Sequence, residues 1–197
     1  MSAALRVELA LCFLADAPFV ERLNVILANL FFDTLEMSAR HAVSVPAAWT
    51  PLVAERSRRG VAPLQFALAG MNAHVNRDLP LALVAASEEL EIELRTGSPQ
   101  HVDFERISGL LARVEAQVSA SFLHRFDRID DVVAMWDVRR AREAAWTNAE
   151  TFWSLRGEAA LRWELARVLD RMVGFAGRGL LVPADTALSR LARSLSS

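Results

Sequence analysis

The sequence predicts an all-α fold, with residues 1–197 forming a single domain, a bundle of about eight or nine helices. Alanine and leucine recur throughout the chain, and both residue types have a high intrinsic propensity for helix. Apolar residues also repeat at spacings of three and four in nearly every segment, interrupted only by short stretches that contain proline or glycine. The pattern requires no strand and no interdomain linker.

Nine segments carry this helical pattern. They are 3–15, 18–40, 46–58, 63–79, 81–95, 103–125, 131–155, 158–177 and 184–195. The first covers an apolar run, and Pro18, Pro46 and Pro63 stand at the starts of the next three, where the missing amide hydrogen is harmless. Gly60 follows arginines at the end of the third segment. Pro80 lacks a backbone donor and is therefore predicted to kink or break the helix between the fourth and fifth segments.

The second half of the chain has equally clear boundaries. The residues between Arg95 and Gln100 form the clearest loop, and Ser98 within it is a candidate helix cap. Asp130 is a candidate cap for the seventh segment. Gly179 follows an arginine near the end of the eighth, and Pro183 precedes the ninth. The sequence therefore predicts helices joined by short connections from end to end.

Composition narrows the classes of function. All 22 basic residues are arginines, interspersed with acids at a net charge of −2, so the chain has no positive stripe for nucleic acid. No stretch approaches the ~18 apolar residues of a membrane-spanning helix. The lone Cys12 excludes an internal disulfide, and the apolar run before Asp16 is short for a signal peptide. We expect a cytoplasmic protein that binds neither nucleic acid nor membrane.

The best candidate for chemistry is a polar motif on the fourth predicted helix. An apolar stripe on this helix is expected to face the core, and it consists of Leu64, Leu68, Met71, Val75 and Leu79. His74 and Asp78 lie on one edge of the stripe, and Asn72 and Asn76 lie on the other. The members of each pair are four residues apart and are therefore neighbours on the helix surface.

A histidine four residues before an aspartate can serve two chemistries. His74 and Asp78 can be two ligands of one divalent metal ion, or Asp78 can orient His74 as a general base. Both chemistries need partners from other helices, and no acid or histidine elsewhere has diagnostic spacing. The structural alternative is an ion pair at the edge of the core, with Asp78 capping a helix that restarts at Pro80.

A second candidate cluster lies on the seventh predicted helix. Arg142 or Arg140 is expected to hold the carboxylate of a ligand, and Trp136 and Trp146 are expected to form apolar walls. Glu143 belongs to the same polar cluster. The structural alternative is an ion pair of Glu143 with a preceding arginine of the same helix.

Two stretches carry a resemblance to a known family. Residues 65–82, QFALAGMNAHVNRDLPLA, resemble a bacterial family known only as a domain of unknown function, whose hallmark is G-M-N-A-H-x-N-x-D-L-P. Residues 142–149, REAAWTNA, are similar to the second block of that family, and 18–35 to its leucine-rich segment. The resemblance implies where a site lies but supplies no mechanism. Members of the family begin with a further helix before the region of residues 1–15, and they often have a tyrosine where this chain has Phe31 or Phe32. A shorter front would leave a groove open or a site incomplete, so the resemblance also allows an inactive or binding-only version.

These residues predict an enzyme for a small organic molecule in a pocket between the fourth and seventh helices, with acid–base or metal-assisted chemistry. Asn72 and Asn76 would hold polar substrate groups, and one divalent metal ion is the only cofactor that the motif suggests. The alternative is a non-catalytic module that binds a ligand or a protein, including another copy in a homo-oligomer. Its predicted docking face on helix 18–40 is formed by Phe19, Leu23, Ile26, Leu27, Leu30 and Phe31.

Overall fold

The computed structural model describes residues 14–40, 45–123 and 137–183, with the backbone alone for 115–123. The helices are α1 (Ala17–Ala39), α2 (Thr50–Glu55), α3 (Pro63–Ala73), a π-helical segment (His74–Asp78), α4 (Leu79–Glu89), α5 (Pro99–Leu123), α6 (Val138–Ser154) and α7 (Ala159–Leu180). Because α3, the π segment and α4 are continuous, the described residues form six helices and no strand. The all-α prediction is confirmed, whereas the count of eight or nine is not. The predicted segments 3–15 and 184–195 lie outside the described residues.

The sequence predicts a kink or a break at Pro80, and the structure shows a local distortion of the helix without a break. The N–H of Leu79 bonds to the carbonyl of His74, five residues earlier, so the helix widens into a π turn just before the proline. The extra residue of such a turn relieves the clash of a proline ring with the preceding turn. Asp78 makes no capping hydrogen bond at α4, so the prediction that it caps a restarted helix is wrong.

Three helices begin at side-chain caps. Asp16, Ser98 and Asp137 each accept a hydrogen bond from the backbone N–H three residues later, at 3.0, 3.2 and 3.1 Å. Ser98 is thus the cap that the sequence predicts, and it starts α5 at Pro99, four residues before the predicted boundary at 103. Asp130, the other cap candidate, lies outside the described residues.

The α4 helix lies at the centre of the packing. It contacts α1 on one side and α6 on the other, while α3 packs along α7 and α5 packs on α6. The main core joins these helices through large buried side chains that include Phe19, Leu83, Phe104 and Phe152. Within the described part of the chain, no helix is long and apolar enough to cross a membrane.

The predicted docking face of α1 is not exposed. Phe19 and Leu23 are buried in the main core, and Ile26, Leu27 and Leu30 are half-buried against it. Phe31 packs against a second core cluster instead. An apolar stripe marks a buried face whatever covers it, and here α4 and the core cover it.

A second, smaller core holds α7 against the segment before α2. Ala48, Trp49, Ala73 and Val173 form this cluster. The carboxylate of Asp170 on α7 accepts the N–H groups of Ala47 and Ala48 at 2.8 and 3.0 Å. The backbones of α7 and the 46–49 turn therefore approach closely.

Gly174→Ala is expected to lower the free energy of unfolding by about 1–3 kcal/mol, the usual cost of overpacking. A Cβ at Gly174 would lie 2.2 Å from the carbonyl oxygen of Ala47, and that backbone atom cannot rotate away. Gly179→Ala is the matched control on the same helix, because a Cβ there meets nothing within 4 Å. Urea unfolding of both variants measures the difference. Equal stabilities would contradict the close approach.

Candidate functional site

A cavity of about 590 Å³ lies between α1, α3, the π segment, α5 and α6. Its volume is in the range of pockets that hold small organic molecules. Most of its wall is apolar, and the polar side chains on it are Asn24, His74, Gln100 and Arg142. The side-chain amide of Gln100 donates to Asp16, and Asn24 is exposed. His74 and Arg142 are therefore the groups available for chemistry inside.

The apolar stripe predicted on the fourth helix forms one wall of this cavity. Leu64, Leu68, Met71, Val75 and Leu79 all line it, together with His74. The wheel of this helix places these residues on one face, as expected. The sequence predicts that they face the core, and in the structure they face both the core and the cavity.

His74 presents part of its ring to the cavity and keeps one nitrogen inside. Its side chain is 37% exposed, but its Nδ1 atom is buried and has no hydrogen-bond partner. The nearest acceptor is Asp78 Oδ2, at 3.9 Å, which is too long for a hydrogen bond. His74 also borders a second, more open cavity of about 300 Å³ with Phe31 and Trp49. The imidazole of His74 therefore lies between the two cavities and lines both of them.

Asp78 is fully buried and is held by two donors. Trp49 Nε1 donates to its Oδ2 at 2.9 Å, and Arg77 donates to its Oδ1 at 2.7 Å. The Nε of Arg77 lies 3.5 Å from Asp170 Oδ1, so Arg77 also forms an ion pair with α7. Asp78 therefore ties the π segment to Trp49 and, through Arg77, to α7.

The two asparagines of the motif bond within the protein. Asn72 is buried and donates to the carbonyl of Val173 on α7 at 2.9 Å. Asn76 donates to the side-chain oxygen of Asn72 at 3.0 Å. Neither residue lines the cavity. Their positions do not suit the substrate contacts that the sequence predicts, and they connect α3 and the π segment to α7.

Arg142 is a buried cation that also lines the cavity. Its side chain is almost inaccessible, and its Nε donates to Ser108 Oγ at 2.9 Å. The guanidinium stacks 4.4 Å above the ring of Phe104. Within the described residues no carboxylate lies within salt-bridge distance of it. Burial lowers the pKa of Arg142 to about 10, and the Glu105 carboxylate acts in the opposite direction.

The other predicted members of the second cluster lie elsewhere. Glu143 is exposed and accepts a hydrogen bond from Arg139 at 3.1 Å, the intrahelical pair that the sequence offers as the structural alternative. Trp146 is buried behind the cavity, 5.0 Å from the ring of Phe104, and does not line the cavity. Trp136 lies outside the described residues.

A metal site has little support from the geometry. The described residues contain no group of three or more His, Cys, Asp or Glu side chains that could hold a metal ion. Both oxygens of Asp78, one of the two predicted ligands, already accept hydrogen bonds from protein donors. The arrangement therefore suits acid–base chemistry at His74 better than metal coordination.

Sequence reasoning missed four partners that give the site its character. Trp49 and Asp170 stabilise the π segment, and Ser108 and Phe104 hold Arg142. Each acts across a long sequence separation, and no local spacing marks it. The pair of Arg77 with Asp78 could have been predicted, because the two residues are adjacent in the sequence and oppositely charged.

Comparisons with known proteins give one match. A model of a family of unknown function, DUF5995, matches residues 1–183. This region includes the cavity, the π segment and all six described helices. Neither the curated proteins nor the solved structures contain a significant match.

Proposed function

We propose that this chain, which belongs to the DUF5995 family of unknown function, is an enzyme for a largely apolar small molecule that carries a carboxylate. The observation that carries the proposal is the cavity of about 590 Å³, with His74 on one wall and Arg142 on another. An apolar pocket with a few polar groups is the usual form of a small-molecule site.

Arg142 supplies recognition of the carboxylate. A guanidinium has five N–H donors, and the described contacts of Arg142 use one of them, on Ser108. A carboxylate can accept the remaining donors in a paired geometry. The ring of Phe104 lies against the guanidinium and stabilises the cation without using its donors.

His74 supplies acid–base chemistry. In this role the imidazole removes a proton from the bound molecule and returns it to the product. Asp78, 3.9 Å from Nδ1, stabilises the imidazolium that forms in between. Hydrogen bonds of catalytic pairs are often long in unliganded proteins and shorten when substrate binds. Asp78 is a positioning residue here, because it lies behind His74 and has no access to the cavity.

Phenylpyruvate is a suitable probe for this proposal. It has an apolar ring, a carboxylate, and methylene protons beside a ketone that a general base can remove. In D2O, removal of such a proton by His74 and return of a deuteron exchanges the methylene, which NMR measures. We expect binding by calorimetry and exchange above the solution rate. His74→Gln is expected to keep binding but lose about 100-fold or more of the exchange.

His101→Gln is the control, because His101 packs against Trp146 and does not line the cavity. It should exchange phenylpyruvate as the parent does. Failure of the parent to bind phenylpyruvate would count against the proposed ligand class.

A second candidate function is binding without catalysis. One observation favours it: both oxygens of Asp78 are already engaged by Trp49 and Arg77, so Asp78 has limited capacity to accept from His74. In that case phenylpyruvate binds, and its exchange is the same with the parent and with His74→Gln.

A further inference from the structure

The outer face of α7 carries an apolar seam that the described residues leave exposed. The seam consists of Leu161, Leu165, Val168, Met172 and Phe175, with spacings of four, three, four and three. Leu161, Met172 and Phe175 are 57%, 64% and 74% exposed, whereas Leu165, at the edge of the seam, is partly buried and packs against the main core. Alternating spacings of three and four are the pattern by which one helix packs along another.

The charged residues along one border of this seam change sign from one end of α7 to the other. Glu164 lies toward the amino end of α7, and Arg171 and Arg178 lie toward its carboxyl end, on the same side of the seam. Arg167 donates to the carboxylate of Glu164 and keeps it at the border. In a parallel pair, this border of one copy would lie across the seam from the opposite border of the other, so Glu164 and the arginines could not meet. In antiparallel copies, Glu164 of each would face an arginine of the other.

We infer that a second copy of the chain docks on this seam, with the two α7 helices antiparallel. The opposite charges at the two ends of α7 select a second copy, because the same surface is then complementary to itself under a twofold axis. The seam spans about 21 Å of helix, from its first to its last apolar residue. This surface is distinct from the face of α1 that the sequence analysis predicts, which is covered by the core.

Sedimentation of the full chain tests the inference. We expect a dimer whose population rises with concentration, and Val168→Glu should make it a monomer. At a concentration low enough for the parent to be monomeric, the two proteins should have the same melting temperature. Val25→Glu on α1, a valine of comparable exposure away from the seam, should leave the dimer intact. A parent that stays monomeric up to about 1 mM would overturn the inference, because even a weak dimer is populated there. A dimer that persists in Val168→Glu would also overturn it.

The same variant separates a second copy from other occupants. If another part of the same chain covers the seam, Val168→Glu lowers the melting temperature of a protein that is monomeric before and after the change. That result would reject the second copy.

Crosslinking tests the orientation. In a Cys12→Ala background, we expect Leu161→Cys mixed with Phe175→Cys to form a disulfide-linked dimer under oxidation. Leu161→Cys alone should not, because antiparallel helices hold its two copies about 20 Å apart. The reverse pattern would show a parallel pair and would overturn the antiparallel dimer.

Discussion

Asp78→Leu is expected to lower the free energy of unfolding by about 3–5 kcal/mol, one of the largest effects that a single substitution in this chain should have. The reason is the loss of a fully buried carboxylate that accepts a hydrogen bond from each of two donors. Its removal leaves the guanidinium of Arg77 and the indole N–H of Trp49 without their acceptor. Arg77 is part-buried and keeps Asp170 within 3.5 Å, but it loses its hydrogen bond, and the buried indole N–H of Trp49 is left unpaired. Leaving buried or part-buried donors unpaired costs more than the bonds themselves contribute. Chemical denaturation with a two-state fit measures the change.

His74→Leu is the matched comparison, since His74 is four residues away and shares the same face. Its Nδ1 has no hydrogen-bond partner, so its loss leaves no buried donor or acceptor unpaired. We expect a change of less than about 1 kcal/mol. The double variant Arg77→Met/Asp78→Leu should recover part of the loss, because the guanidinium that lost its hydrogen-bond acceptor is also removed. Equal losses in Asp78→Leu and His74→Leu would mean that Asp78 has no such role.

This asymmetry shows how far the sequence predicts the motif. The spacing of His74 and Asp78 correctly predicts neighbours on one face, and the resemblance to the family points to the same segment. Spacing along a helix does not reveal which partner comes from elsewhere in the chain. Trp49 reaches Asp78 from 29 positions away, so Asp78 holds the π segment in place in addition to lying beside the partly exposed imidazole of His74. The sequence alone leaves these two roles open.

The fold is predicted better where local chemistry decides it. The first described helix begins and ends within one residue of prediction, because Pro18 and the cap at Asp16 fix its start. Pro80 is where local reasoning leaves the outcome open. A proline inside a helical pattern usually ends the helix, but a single π turn accommodates it, and this depends on packing that no local rule contains.

The cavity is the feature that sequence patterns conceal most completely. An apolar stripe predicts that one face of a helix is turned away from water. The pattern is the same whether that face packs against side chains or lines a cavity. Arg142 poses the same difficulty. A charged residue on an amphipathic helix, here between Ala141 and Glu143, is usually exposed. The burial of Arg142 against Phe104 depends on how α5 crosses α6.

Arg142→Met is expected to weaken the binding of phenylpyruvate by about 10-fold to 100-fold, the usual contribution of a charge-assisted hydrogen bond in a dry site. The same substitution is expected to raise the free energy of unfolding by about 1–3 kcal/mol. The lowered pKa of Arg142 corresponds to a penalty of about 3 kcal/mol on its cation in the folded protein. Methionine fills a similar volume without charge. Ser108 is not left unpaired, because its hydroxyl still donates to the carbonyl of Phe104 at 2.7 Å.

The pH dependence of stability gives an independent measurement of that penalty. The folded pKa of Arg142, about 10, lies below its value in the unfolded chain, so the unfolded state binds more protons between the two values. Below pH 10 the penalty on the folded state is fully present, and it disappears as the pH rises from 10 toward the ordinary pKa of arginine. The stability advantage of Arg142→Met over the parent should therefore be largest at pH 8 and smaller at pH 11. A buried arginine kept only for packing would lose stability on substitution and leave phenylpyruvate binding unchanged. Gain of stability together with loss of binding is the result expected of a cation that the fold retains for its ligand.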